Sequence, residues 1–188
     1  MTNICLIRHG ETEWNTMKLI QGRIDTLLCD SGIKQAEIAG EKLSKLNIKW
    51  DCVYSSPLQR AIKTAQVALN IAKIDKEIIL SDDLIERDFG PFEGMEVTDE
   101  NFYKLNHLKN NGAEPLDVLI SRVYQGLNKI IEKHRDSNIL IFTHSQVIKA
   151  ILIKLIDDFD FNASIRNASL NFIEVDSNNK YYVRKTNY

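Results

Sequence analysis

Two arginines, two histidines and one glutamate carry the chemistry of this sequence. Arg8 and His9 follow the apolar run Asn3 to Ile7, Arg60 follows Ser55-Ser56-Pro57, and His144 follows the run Asn138 to Phe142 after Thr143. Each stands just past a run of strand length, and in an open parallel sheet ligands gather outside the carboxyl ends of the strands. Guanidinium groups suit bidentate capture of phosphate oxygens, and a helix N-terminus adds N–H donors and a favourable dipole. The expected ligand is a phosphate group. A neutral imidazole attacks phosphorus when its other nitrogen is held by a hydrogen bond that fixes the tautomer, the role expected of His9. A protonated His144, with Arg8 and Arg60, would neutralise the equatorial oxygens during transfer. A leaving alkoxide needs a proton, and Glu86 is the expected donor, its carboxyl kept protonated by the like charge of the phosphate. Taken singly, such residues are more often packed or solvated side chains, and Asp82-Asp83 and Asp157-Asp158 read as solvated turns.

The elements that must position these groups alternate between strand and helix. Asn3 to Ile7, Asp51 to Ser55, Ile78 to Leu80 and Asn138 to Phe142 read as strands, the first buried on both faces of a parallel sheet. Ser31 is the expected N-cap of a helix with Ile33, Ala36 and Leu43 at helical spacing. Ser56-Pro57 reads as an N-cap with proline at the first helical position of a helix running toward Asn70. Phe89 to Glu114, with three glycines, reads as a loop or lid. Pro115 opens an amphipathic helix to about Lys133, and a further helix runs from His144 to about Ile156. Ser169 to Val175 and Tyr181 to Arg184 read as a hairpin. The expected architecture is a three-layer α/β sandwich with a mainly parallel sheet flanked by helices. It is expected as one domain, 1–188, with 91–115 as a short lid insertion.

Composition narrows the partners. Twenty-four Lys and Arg against 26 Asp and Glu give a formal charge of −2, with no field suited to nucleic acid or an anionic membrane. No stretch approaches the ~20 apolar residues of a membrane-spanning helix, and no signal peptide is evident, so a cytoplasmic protein is expected. Cys5, Cys29 and Cys52 show no C-x-x-C pairing, so reduced thiols are expected, two of them in strands, with neither disulfides nor a metal cluster. The N-x-S triplets at Asn162 and Asn167 are set aside, because they matter only in a secreted chain.

Leu6-Ile7-Arg8-His9-Gly10-Glu11-Thr12-Glu13-Trp14-Asn15 resembles the signature of the histidine phosphatase, or phosphoglycerate mutase-like, superfamily. The likeness continues through Gln21-Gly22-Arg23, Ser55-Ser56-Pro57-Leu58-Gln59-Arg60-Ala61 and Glu86-Arg87-Asp88-Phe89-Gly90. It implies a phosphohistidine on His9, a phosphate pocket of Arg8, Arg60 and His144, and Glu86 as proton donor. It also brings Asn15, Gln21 and Gly22 toward the phosphate, and implies no metal or organic cofactor. The chain departs from the family where Ser145 and Gln146 follow His144 in place of the usual glycine. There we expect a main-chain conformation that serine tolerates, its N–H and hydroxyl directed at the phosphate. Asp25-Thr26-Leu27-Leu28 lacks a proline frequent in the family, and Gly112-Ala113-Glu114-Pro115 replaces Gly-Glu-Ser; both read as local variation.

Phosphatases and mutases of this family share the phosphorylated histidine and differ in the acceptor. A mutase must hold a bisphosphorylated intermediate, which calls for further cations. The segment from Pro91 to Pro115 has no arginine and offers only Lys104, His107 and Lys109 against five acids. The expected activity is thus a metal-independent phosphomonoesterase acting on small phosphorylated metabolites. A cofactor-dependent phosphoglycerate mutase and an inactive phosphate-binding regulatory protein are the alternatives. Phe92, Phe102 and Tyr103 are candidates for an apolar cover over the leaving group, and a homodimer is the assembly considered.

Overall fold

The computed structural model describes residues 1–108 and 111–188, without the side chains of residues 102, 106 and 107. Lys109 and the side chains of Phe102 and His107 therefore lie outside the described residues.

Strand β1 (Thr2–Arg8) sends Ile4 and Leu6 to one face of the sheet and Cys5 and Ile7 to the other. Later in the chain, the strand Asn138–Thr143 does the same with Ile139 and Ile141 against Leu140 and Phe142. Strands covered on both faces are apolar at successive positions, which is why these runs show no alternation. The other strands are β2 (Cys52–Ser55), β3 (Ile78–Leu80), β5 (Leu170–Val175) and β6 (Tyr181–Lys185), with Asn138–Thr143 as β4. Their order across the sheet is β3-β2-β4-β1-β5-β6. The first four are mutually parallel, β5 adds antiparallel to β1, and β6 adds antiparallel to β5.

The helices are α1 (Glu13–Thr16), α2 (Asp30–Lys45), α3 (Gln59–Ala72), α4 (Asp99–His107), α5 (Leu116–Lys133) and α6 (Ser145–Leu152). One face of the sheet is covered by α2 and α3 through Ala39, Leu43, Ala65 and Leu69. The other is covered by α5 and α6 through Leu119, Val123, Leu127, Val147 and Ile151. The result is the expected three-layer arrangement with a mainly parallel sheet. Register brings the chemistry together. Arg8 pairs with Thr143 and Ser55 with Phe142, so the carboxyl ends of β1, β4 and β2 are level. The next residues bond across: His9 N donates to Thr143 O and Ser56 N to Phe142 O, both at 2.9 Å.

Four expectations are corrected. Cys29, not Ser31, is the N-cap of α2; the Ser31 hydroxyl instead donates to the Glu11 carboxylate. The N-cap of α3 is Leu58, not Ser56, and the free Gln59 N–H is taken by the Asp25 carboxylate at 2.8 and 3.1 Å. An acceptor from a distant loop replaces the local cap. Residues 89–114 are not all loop, because Thr98 accepts from Asn101 N and starts α4 with Asp99 and Glu100 in its first turn. Its three glycines obscured that cap. The last helix is also shorter than expected, ending at Leu152.

Candidate active site

A cavity of about 140 Å³ opens at this end of the sheet, lined by Arg8, His9, Asn15, Gln21, Glu86 and Ser145. Leu19, Ile20, Phe89, Val97 and Gln146 complete its wall. His144 and Arg60 are fully buried beside it. A larger cavity of about 430 Å³, between Ile48, Trp50, Phe172 and Tyr188, lies elsewhere and includes none of these groups.

His9 is held from several sides. Its carbonyl accepts from Asn167 Nδ2 at 3.1 Å and Ala168 N at 3.2 Å. Gly10 N donates to Thr64 Oγ1 at 2.9 Å, and Thr64 in turn donates to the Arg60 carbonyl at 2.7 Å. Space requires glycine at position 10: a Cβ there would stand 2.4 Å from the Gly32 carbonyl oxygen where α2 begins. The His9 Nδ1 lies 2.7 Å from the Gly10 carbonyl. A carbonyl only accepts, so the hydrogen-bond network assigns the proton to Nδ1 and leaves the Nε2 lone pair available. Burial, then the charges of Arg60 and Arg8, hold the His9 pKa well below its ordinary value. The ring is neutral.

The two guanidinium groups are anchored by main-chain carbonyls. Arg60 donates to Gly22 O and, at 3.1 Å, to Ile24 O, with Asp25 at 3.7 Å; Arg8 donates to Ile165 O. The Nε of each is buried without a protein partner. Burial brings the Arg8 pKa down to about 10, which leaves it charged at neutral pH.

His144 Nε2 lies 2.7 Å from Ser56 Oγ, which also accepts from Leu58 N at 3.3 Å. The serine hydroxyl can donate to Nε2 or accept from it, and the His144 Nδ1 is a buried atom without a protein partner. Burial, then Arg60, His9 and Arg8, depress its pKa well below the ordinary value, so the ring is neutral in the ligand-free site, whereas the protonated form was expected with phosphate bound.

Glu86 is nearly inaccessible, and its carboxyl accepts from Arg87 N at 3.0 Å and Gln146 N at 3.4 Å. Its pKa is raised, and the cause is burial, opposed by the Arg87 N–H and by Arg60. Burial thus raises the carboxyl pKa without a bound anion, a cause different from the expected like charge of the phosphate.

Asn15 and Gln21 form one amide network: Asn15 Nδ2 donates to Gln21 Oε1 at 3.2 Å, while Asn15 Oδ1 accepts from Asn167. Gly22 stands outside the cavity lining. Its missing Cβ admits the Glu93 carboxylate and the Arg87 carbonyl. Ser145 is the first residue of α6 and is not among the left-handed residues, so serine is unstrained there. Phe92 packs with Ile20, Phe89 and Leu105 rather than over the cavity, and Tyr103 is exposed; Phe89, Leu19, Ile20 and Val97 form the apolar wall. Ser56 was read only as a helix cap, Asn167 stood in a triplet read only for glycosylation, and Thr64 had no assigned role; their pairings emerge only in three dimensions. Among the described residues no group of three or more His, Cys, Asp or Glu is placed to hold a metal ion, and no helix is long and apolar enough to cross a membrane.

Residues 4–187 match the family model of the histidine phosphatase superfamily, branch 1. The chain is 35% identical to the metal-independent phosphoserine phosphatase of Arabidopsis thaliana, covering 93% of this chain and 77% of that protein. It is 34% identical to the uncharacterized phosphatase PhoE of Bacillus subtilis, over 82% and 78% respectively. A phosphoglycerate mutase of Schizosaccharomyces pombe is 30% identical over 81% of this chain and 78% of that one. The crystal structure of a phosphoserine phosphatase mutant from Entamoeba histolytica with phosphoserine superposes with TM-score 0.83 at 26% identity, covering 100% of this chain and 97% of that one. The chain belongs to the histidine phosphatase superfamily.

Proposed function

We propose that the protein is a metal-independent phosphomonoesterase that hydrolyses small phosphorylated metabolites through a phosphohistidine on His9. The carrying observation is a neutral His9 of fixed tautomer in the same cavity as a carboxyl, Glu86, whose burial favours its protonated form. Arg8, Arg60 and His144 bind the phosphoryl oxygens, helped by Ser145, Asn15 and Gln21. The His9 Nε2 lone pair forms a bond to phosphorus as the P–O ester bond breaks, and Glu86 passes its proton to the departing oxygen. Water then attacks the phosphohistidine, giving its proton to the Glu86 carboxylate and releasing inorganic phosphate. His9 and Glu86 return to their starting protonation states.

The phosphatase reading is favoured over a mutase by the 91–115 segment. Its Lys104 is exposed and paired with Glu100 on the same helix, a poor clamp for a second phosphate. Relatives named phosphoserine phosphatases support a small phosphorylated substrate. The test is phosphorus NMR of the purified protein in chelator with phosphoserine, 3-phosphoglycerate and sugar phosphates, with and without 2,3-bisphosphoglycerate, and His9→Ala as control. Inorganic phosphate from the wild type alone supports the phosphatase. Primed formation of 2-phosphoglycerate without release makes it a mutase, and tight phosphate binding without turnover makes it a binding protein.

A further inference from the structure

Glu86 lies in an irregular stretch between two short 3₁₀ turns, Asp82–Leu84 and Gly90–Phe92. Its carboxyl accepts from the main-chain N–H of Arg87 within this stretch and of Gln146 in α6, so its position depends on the path of this stretch against α6. That path is fixed from outside the cavity by Arg122 of α5. One Arg122 amino nitrogen donates to the carbonyls of Asp83 and Ile85 at 3.0 and 2.9 Å, and the other reaches the Glu86 carbonyl at 3.4 Å. Its remaining donors form a two-pronged pair with the Glu114 carboxylate, both contacts at 2.9 Å. All five N–H groups of one guanidinium are thus placed, a pattern the planar fork of arginine can make and a lysine ammonium cannot.

Glu114 closes the frame. Its N donates to Asp88 O at 2.7 Å, its carbonyl accepts from Arg87 Nε at 2.8 Å, and its carboxylate accepts from Asp88 N at 3.3 Å. The stretch carrying the acid is therefore zipped to the residue that precedes Pro115 at the end of the 91–115 segment. Burial opposes charge on Glu114, but the hydrogen bond and charge of Arg122 overcome it and hold its carboxyl below the ordinary range.

We propose that Arg122, with Glu114, is a positioning residue that holds the Glu86 carboxyl where it protonates the leaving oxygen. The proposal rests on the reading of Glu86 as the acid. Misplacing a general acid damages proton transfer and spares steps that need none, which separates this role from a general structural one.

The experiment measures kcat/KM across phosphomonoesters running from nitrophenyl to alkyl leaving groups for wild type, Glu86→Gln, Arg122→Lys, Arg122→Gln and Glu114→Gln, with circular dichroism to confirm folding. Arg122→Gln and Arg122→Lys are expected to lose about 30-fold on alkyl esters and under about threefold on the nitrophenyl ester, the same direction as Glu86→Gln. Glu114→Gln, a near-isosteric change, gives the same pattern more weakly and stands in if the Arg122 variants do not fold. In the Glu86→Gln background, Arg122→Gln costs the alkyl esters little more. Uniform losses across the series in folded Arg122 or Glu114 variants, with Glu86→Gln selective, overturn the positioning role alone. An unselective Glu86→Gln overturns the acid assignment and this proposal with it.

Discussion

The rings of His9 and His144 lie 5.2 Å apart, centre to centre, tilted by 58°. Burial with Arg8 and Arg60 close by keeps both neutral in the folded protein. In the unfolded chain each regains an ordinary histidine pKa near 6.5. The folded pKa is the lower one, so the stability linked to each ring is fully present above about pH 6.5 and is lost as pH falls toward the folded value. The slope is at most about 1.4 kcal/mol per pH unit for each histidine. Thermal unfolding between pH 7 and pH 5 should show a falling Tm, and His144→Gln should flatten that fall. An equal fall in the variant would mean the acid sensitivity lies elsewhere.

Glu86 gives a prediction on substrate choice. Replacing it with glutamine removes the proton but preserves the shape, so alkyl phosphates should lose about 100-fold or more in kcat/KM. A nitrophenyl ester, whose leaving group needs little protonation, should lose under about tenfold. Steady-state kinetics on the two substrates decides it, and equal losses would remove Glu86 from the acid role.

Gly10 gives a prediction on packing. An added methyl would meet the Gly32 carbonyl at 2.4 Å, where backbone must yield on both sides. Gly10→Ala is expected to cost about 2 kcal/mol or more in denaturant unfolding and to lower turnover, since His9 rides on the same turn. A stability change below about 0.5 kcal/mol would show that α2 can shift freely away from that turn.

Strand positions and the convergence of Arg8, His9, Arg60 and His144 were legible in the sequence, because doubly buried strands leave unbroken apolar runs and the reactive residues stand at their ends. Less legible was whatever depends on partners far apart in the chain. The cap on α3 comes from Asp25, a brace on His9 from Asn167, and the contact on His144 Nε2 from Ser56. Each joins residues far apart in the chain, leaving no periodicity to read. The raised pKa of Glu86 was expected, but its cause, and the neutral His144 of the ligand-free site, were hidden for the same reason. Burial raises Glu86 and depresses His144, and the extent of burial is a property of the assembled layers.

The central claim is that phosphorus becomes bonded to the Nε2 of His9. Rapid mixing with a radiolabelled phosphomonoester, alkaline quench and peptide mapping tests it directly, since phosphohistidine survives base and is lost in acid. The account predicts an acid-labile label on the peptide containing His9, absent from His9→Ala and formed in the presence of chelator. Turnover by the wild type with no such label, or full activity in His9→Ala, would contradict it.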